Sequence, residues 1–144
     1  MNVNSFSGNP VLEMLPDGRN MKLLEDFSFA DTERIWTAPA GCVINGISIP
    51  RPLWVLMGSP YVGKGRYAAV LHDYYCQIRQ DPYVDIHRMF YNACIIAGVP
   101  MAKAGLMYEA LLHFGIRWDD DGNLIEVELD DDDLFPLELT GHLE

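Results

Sequence analysis

Four side chains in this chain have the types and spacing to do chemistry together: Ser48, His72, Asp73 and Asp85. An imidazole between two carboxylates can bind a divalent metal or move a proton, and a serine beside them can orient a substrate or attack one. The candidate catalytic set is His72, Asp73 and Ser48, and the candidate metal set is His72, Asp73 and Asp85. Asn45, Ser48, Arg51, Trp54 and Arg79 are the groups placed to contact a ligand, with Arg51 suited to an anion and Tyr74 offering a ring.

A structural alternative stands beside that chemistry. Asp73 or Asp85 could pair with Arg79, Arg88 or Arg51 while His72 satisfies a backbone carbonyl. Ser48, just before Ile49-Pro50, would then close a turn or cap a short helix over Arg51 to Leu56. The His-Asp pair is similar to that of metal phosphohydrolases, but those need a histidine from an earlier helix, and His72 is the first histidine here. His87 and His113 are the remaining substitutes, and His87 lies about half a turn from Asp85 on its helix, which points it elsewhere. Gly46 precedes Ser48 by two, but the other glycines of a nucleophile elbow are missing.

The elements that must position these groups can be read from periodicity. Tyr67, Val70, Leu71, Tyr74, Tyr75 and Ile78 recur at helical spacing from Arg66, and Asp81-Pro82 ends the run. His72 and Asp73 therefore ride on a helix. A second helix is predicted from Tyr83 to Ala97, with Gly98 as its stop, and a third from Met101 to Phe114, stopped by Gly115. Before them the chain reads as strands. Val11 to Leu15 and Met21 to Leu24 flank a Pro16-Asp17-Gly18-Arg19 turn, and short β-rich pieces follow at Phe27 to Phe29, Arg34 to Thr37 and Cys42 to Ile44. The expected fold is α+β: a small N-terminal antiparallel sheet packed on three helices, with an acidic C-terminal hairpin or tail. Residues 1–118 are expected to form one domain and 119–144 an acidic extension holding a strand at Leu124 to Leu129.

Bulk composition narrows the function classes. The 144 residues suffice for one core without disulfides, and 49% hydrophobic with 22% charged residues is ordinary for a globular chain. Ten Lys and Arg against 21 Asp and Glu leave a net charge of -11, with no basic strip, so nucleic acid is not an expected partner. Cys42, Cys76 and Cys94 form no CxxC pair and lie in apolar runs, which implies a reducing compartment. No stretch reaches the length of a membrane span, and the first nine residues carry no export signal, so nothing is expected to export or anchor the chain.

Two other motifs fail on chemistry. Gly58 to Gly65 follows a phosphate-loop pattern until Gly65 replaces the magnesium-binding hydroxyl, and Pro60 removes an N–H donor. Asp119-Asp120-Asp121-Gly122 lacks the spacing of a calcium loop and reads instead as a hairpin turn.

Taken jointly, Trp36-Thr37-Ala38-Pro39-Ala40-Gly41, Asn45-Gly46-Ile47-Ser48-Ile49-Pro50-Arg51 with Trp54, Ala69-Val70-Leu71-His72-Asp73-Tyr74, and Asp85 with Phe90 and Gly98-Val99 form a pattern. It resembles the phage and prophage family known as domain of unknown function 1353, over about Trp36 to Phe114. The resemblance implies a setting among tailed phages and prophages, near structural or lysis genes. Such proteins usually carry Asp where this chain has Asn45, and an amide there loses the charge that metal binding or general base work would use. The expectation is a small non-enzymatic accessory or assembly protein, tail- or baseplate-associated, working in the host cytoplasm and in the virion. Its partners would be other phage proteins or a host protein, and self-association is compatible with the sequence. Two alternatives come from other classes: a hydrolase with a divalent metal on His72, Asp73 and Asp85, and a binding protein that sequesters a host factor or signalling nucleotide through Arg51, Arg79, Tyr74 and Trp54.

Overall fold

A computed structural model of the chain describes residues 1–46, 48–50, 53 and 63–125. Eight short strands and three helices follow one another among them. The strands are β1 (Ser5–Phe6), β2 (Leu12–Met14), β3 (Met21–Leu23), β4 (Phe27–Ala30), β5 (Ile35–Ala38) and β6 (Val43–Ile44). Helices α1 (Arg66–Ile78), α2 (Tyr83–Ala97) and α3 (Met101–Phe114) come next, and then β7 (Arg117–Trp118) and β8 (Leu124–Ile125). The class is α+β, with antiparallel strands leading into a helical bundle.

The six N-terminal strands divide into two three-stranded antiparallel sheets, ordered β1-β4-β5 and β2-β3-β6. The chain reversal after β5 causes the split. Gly41, at φ 94°, donates its N–H to Leu23 O at 2.7 Å, and Leu23 N–H bonds Cys42 O at 2.9 Å. That pair of bonds sends β6 onto β3 instead of onto β5. The β2–β3 hairpin forms where the Pro16 to Arg19 turn placed it, with Asp17 Oδ1 accepting the N–H groups of Arg19 and Asn20.

Helix α2 packs on both α1 and α3, and α1 lies against β5 and β6. Phe27, Phe29, Leu71, Phe90, Met107 and Leu111 are among the side chains fully enclosed where sheets and helices meet. Helix α1 ends one turn before Pro82, at Arg79 in the left-handed region, whose N–H returns to Tyr75 O. Gly98 caps α2 at φ 104°, its N–H reaching Ile95 O while Val99 N–H reaches Cys94 O, the paired bonds that close a helix end.

The β7–β8 hairpin turns at Asp119 to Asn123, with Gly122 at φ 82° and Asp119 Oδ1 accepting two backbone N–H groups. It is tied to the bundle: Trp118 is buried and donates its indole N–H to Asp81 O at 2.7 Å, and Arg79 Nε donates to Gly122 O at 2.8 Å. The expected helix over Arg51 to Leu56, the loop from Gly58 to Val62, the strand beyond Ile125 and the acidic run at Asp130 to Asp133 lie outside the described residues.

Candidate functional site

A line of hydrogen bonds runs through the core between α1, α2 and the turn that follows β6. Ser48 Oγ lies 3.0 Å from His72 Nδ1, His72 Nε2 lies 2.9 Å from His87 Nδ1, and His87 Nε2 lies 2.9 Å from Ile116 O. Ser48 is 2% exposed and both histidines are wholly enclosed. Helix α1 delivers His72, α2 delivers His87, and Ile49 N–H to Gly46 O closes the turn that holds Ser48.

The bonding sense follows from the carbonyl end. Ile116 O can only accept, so His87 Nε2 carries a hydrogen, and a neutral His87 then accepts at Nδ1. His72 therefore donates from Nε2 and keeps Nδ1 as an acceptor, and the single Ser48 hydroxyl hydrogen is shared between that nitrogen and the Asp73 carboxylate. Burial pushes both imidazoles below the ordinary histidine range, His87 down to about 4, while His72 also feels its neighbour His87. Phe90 meets the His72 ring edge-on at 5.1 Å, and the Cys76 thiol sits 3.7 Å from Nδ1.

Asp73, the next residue on α1, faces the same turn from beside this line. Its carboxylate accepts the Asn45 N–H at 3.1 Å, the Ser48 N–H at 3.3 Å and the Gln77 side-chain amide at 2.9 Å, and the Ser48 hydroxyl is also within its reach. Gln77 extends the clasp by donating to Val43 O at 2.8 Å. Burial raises the Asp73 carboxyl above the usual carboxylate range, and these donors hold it partly back. Asp73 thus fastens the β6 turn to α1 through backbone donors; of the arginines the sequence offered it, Arg79 bonds Gly122 O instead and Arg51 lies outside the described residues.

The structure brings together Asn45, Ser48, His72 and Asp73, and leaves Asp85 apart. Asp85 is exposed in the first turn of α2, where a carboxylate favours the helix dipole, and lines a polar groove with Asp31, Arg34, Trp36 and Arg88. Among the described residues no group of three His, Cys, Asp or Glu side chains is placed to hold a metal ion. Arg79 is spent on the β7–β8 turn, and Tyr74 stacks edge-on against Tyr75. Arg51 and Trp54 lie outside the described residues.

His87 is the member of the site that sequence reasoning directed away. A signal for it exists: Tyr83, His87, Phe90 and Cys94 follow one another at spacings of four, three and four, which puts His87 on the inner stripe of α2. Gly115 is a second. It reads as a helix stop, yet a Cβ there would collide with Leu111 O and come within 3.0 Å of His87 Nε2, so its lack of a side chain makes room for the imidazole.

Comparison with known proteins places this geometry in context. The family described as "Protein of unknown function (DUF1353)" matches residues 21–111. The uncharacterized protein y4jT of Sinorhizobium fredii (strain NBRC 101917 / NGR234) is 37% identical over 117 residues, which cover 79% of this chain and 35% of that protein. The uncharacterized protein y4iH of the same strain is 34% identical over 117 residues, covering 80% of this chain and 49% of that one. The chain therefore spans less than two thirds of either relative's length. No solved structure matches it.

Proposed function

We propose that this chain, which belongs to the DUF1353 family, is a small accessory or assembly protein of the phage type, associated with the tail or baseplate and acting through its surface. The observation that carries the reading is the closure of the polar cluster. Asp73 spends its carboxylate on the Asn45 and Ser48 backbone N–H groups and on Gln77, and His87 ends on a backbone carbonyl, so the cluster fastens three elements to one another. Satisfied buried networks of this kind specify one arrangement of a core. What such a chain then offers a partner is its exterior: a net charge of -11, and separate apolar side chains, Met14, Ile35, Met101 and Leu124, each more than half exposed. A net charge of that sign suits docking onto basic surfaces of other phage proteins or of a host protein, within the host cytoplasm and then in the virion.

The test is mass spectrometry of purified virions from a host whose phage or prophage encodes the chain. The protein is expected at a fixed stoichiometry relative to a tail component, and its consistent absence from particles would end this reading.

A further inference from the structure

Resting on the docking reading above, we propose that the trough between the β4–β5 turn and the outer stripe of α2 receives an extended basic segment of a partner protein. A Lys or Arg side chain of that segment lies against Asp85 and Glu33 at one end, and an apolar side chain four residues later lies against Ile95 and Ile96 at the other. Two cavities make the trough. One of about 320 Å³ lies between the Asp31 to Arg34 turn and Asp85, Arg88 and Asn92 of α2. A second, of about 170 Å³, shares Asp31, Thr32 and Asn92 with the first and runs on to Ile95 and Ile96.

Helical spacing draws the stripe as one line, since Asp85, Arg88, Asn92 and Ile95 follow one another at intervals of three, four and three along α2. At about 1.5 Å per residue, Asp85 and Ile95 stand about 15 Å apart, which an extended chain covers in about four or five steps of ~3.3 Å. The first and fifth residues of such a chain face the same way, which sets the interval between its basic and apolar positions. The opposite wall is preformed. Asp31 Oδ1 accepts the Glu33 and Arg34 N–H groups at 2.8 Å, Asp31 N–H bonds Arg34 O at 3.0 Å, and Asp31 Oδ2 accepts the Trp36 indole N–H at 2.8 Å. A turn satisfied within itself stands off the helix without collapsing onto it, and little order is lost when a ligand arrives.

Charge selects the occupant. Asp31, Glu33 and Asp85 border the wide end together with Arg34 and Arg88. Arg34 is already matched, because its Nη1 lies 2.9 Å from Asp81 Oδ1 and its guanidinium sits 3.7 Å over the Trp36 ring. Three carboxylates are thus left facing Arg88, and among the described residues neither Asp85 nor Arg88 closes an ion pair. Burial opposes the ionisation of Asp31, but the Trp36 indole and the two backbone N–H groups outweigh it and hold the carboxyl below the usual carboxylate range. An anion would meet this excess and be repelled, whereas a basic side chain is drawn in. Midway, Thr32 and Asn92 offer both donors and acceptors to the main chain of the segment, and Arg88 can donate to its carbonyl groups.

The experiment titrates the full chain with a capped five-residue peptide, arginine first, leucine last and glycine and serine between, and follows backbone amide chemical shifts. Shifts are expected at Thr32 to Arg34 and along Asp85 to Ile96. The same five residues with arginine and leucine adjacent should bind more weakly, because neighbouring side chains of an extended chain face opposite ways. Glutamate in place of arginine should abolish binding. Asp85 is exposed, so Asp85→Lys keeps the fold and should weaken binding by about 5-fold, the upper end of what one solvent-accessible ion pair supplies. Asn92→Trp fills the trough without changing its charge and should weaken binding as well. Absence of shifts, shifts centred on Asp119 to Asp121, equal binding of the two arginine peptides, or parental affinity in either folded variant overturns the proposal. The comparison of peptides on the parent decides the matter even if a variant fails to fold. A chain found in virions whose trough binds no peptide would dock through another surface, so failure here is distinct from failure of the assembly reading.

Discussion

Nε2 of His72 donates to Nδ1 of His87 across 2.9 Å, joining α1 to α2 by two buried rings whose centroids are 5.1 Å apart. Two neutral imidazoles can share one hydrogen in this way; two imidazolium ions cannot, because neither would have an acceptor to offer.

Acid should therefore unfold the protein through this pair. The folded pKa of His87 is depressed, from 6.5 to about 4, and complete burial depresses that of His72 as well. A depressed folded pKa means stability present above about pH 6.5 and lost as pH falls through 4, worth about 3 kcal/mol for His87 alone. Asp73 works in the opposite sense, because its raised pKa means that its ion is disfavoured in the fold and that protonating it recovers stability. Two depressed histidines act against one raised carboxyl between pH 6.5 and 4, and Tm is expected to fall across that window. A flat Tm across that window would contradict the neutral-pair assignment.

Replacing Asp73 by Ala removes the acceptor of the buried Ser48 N–H and of the half-buried Asn45 N–H, while Gln77 is exposed and keeps its bond to Val43 O. Buried donors left without acceptors cost about 1–3 kcal/mol each, so chemical denaturation should show a loss of about 2 kcal/mol or more. Asp73→Asn keeps one acceptor oxygen and should lose less. A parental melt for Asp73→Ala would mean that the β6 turn is held by something other than this carboxylate.

Gly115 lies at φ -72°, a conformation any residue adopts, so its requirement is one of space. Gly115→Ala should push α3's end or His87 aside, at a cost of about 1–3 kcal/mol, and break the His87 bond to Ile116 O. Nitrogen chemical shifts of the His87 ring read that bond directly. An unchanged ring spectrum with unchanged stability would show that the space is not shared.

Thiol reactivity should separate the three cysteines. Burial pushes the Cys42 thiol up to about 11 and Cys94 to about 12, and Cys76 higher still. Cys42 is half-buried and the other two are enclosed. With Ellman's reagent on the native protein, Cys42 is expected to react slowly, and Cys76 and Cys94 only on unfolding. Rapid modification of Cys76 would indicate that the Ser48 to His87 row opens to solvent.

Helix bounds were legible because punctuation sets them: Pro82 and Gly98 bracket α2, and Pro100 and Gly115 bracket α3. The hairpins at Asp17 and Asp121 were legible for a similar reason, since turn chemistry is local. The site was half legible. His72, Asp73 and Ser48 do converge, but Asp85 drew attention as a third ligand when its place in the first turn of α2 faces solvent. His87, judged relative to Asp85, was directed away from the site, although its spacing to Phe90 and Cys94 set it on the inner face. The backbone partners of Asp73 could not be read at all, because the direction of the Asn45 and Ser48 N–H groups is decided by how the β6 turn folds onto α1.

Tyr75 carries a consequence for how the molecule meets its neighbours. Ser28 and Thr37 face each other with their hydroxyls 2.8 Å apart, and Thr37 N–H points outward from β5 to the Tyr75 hydroxyl at 2.9 Å. An outer strand with vacant N–H groups is a template on which another chain can pair. Here the helix supplies a phenol oxygen at that position, and Trp36 lays its ring against the same tyrosine at 5.0 Å. The margin of β5 is thereby closed to a visiting strand at its midpoint, so copies of this protein crowded together should stay apart along that side.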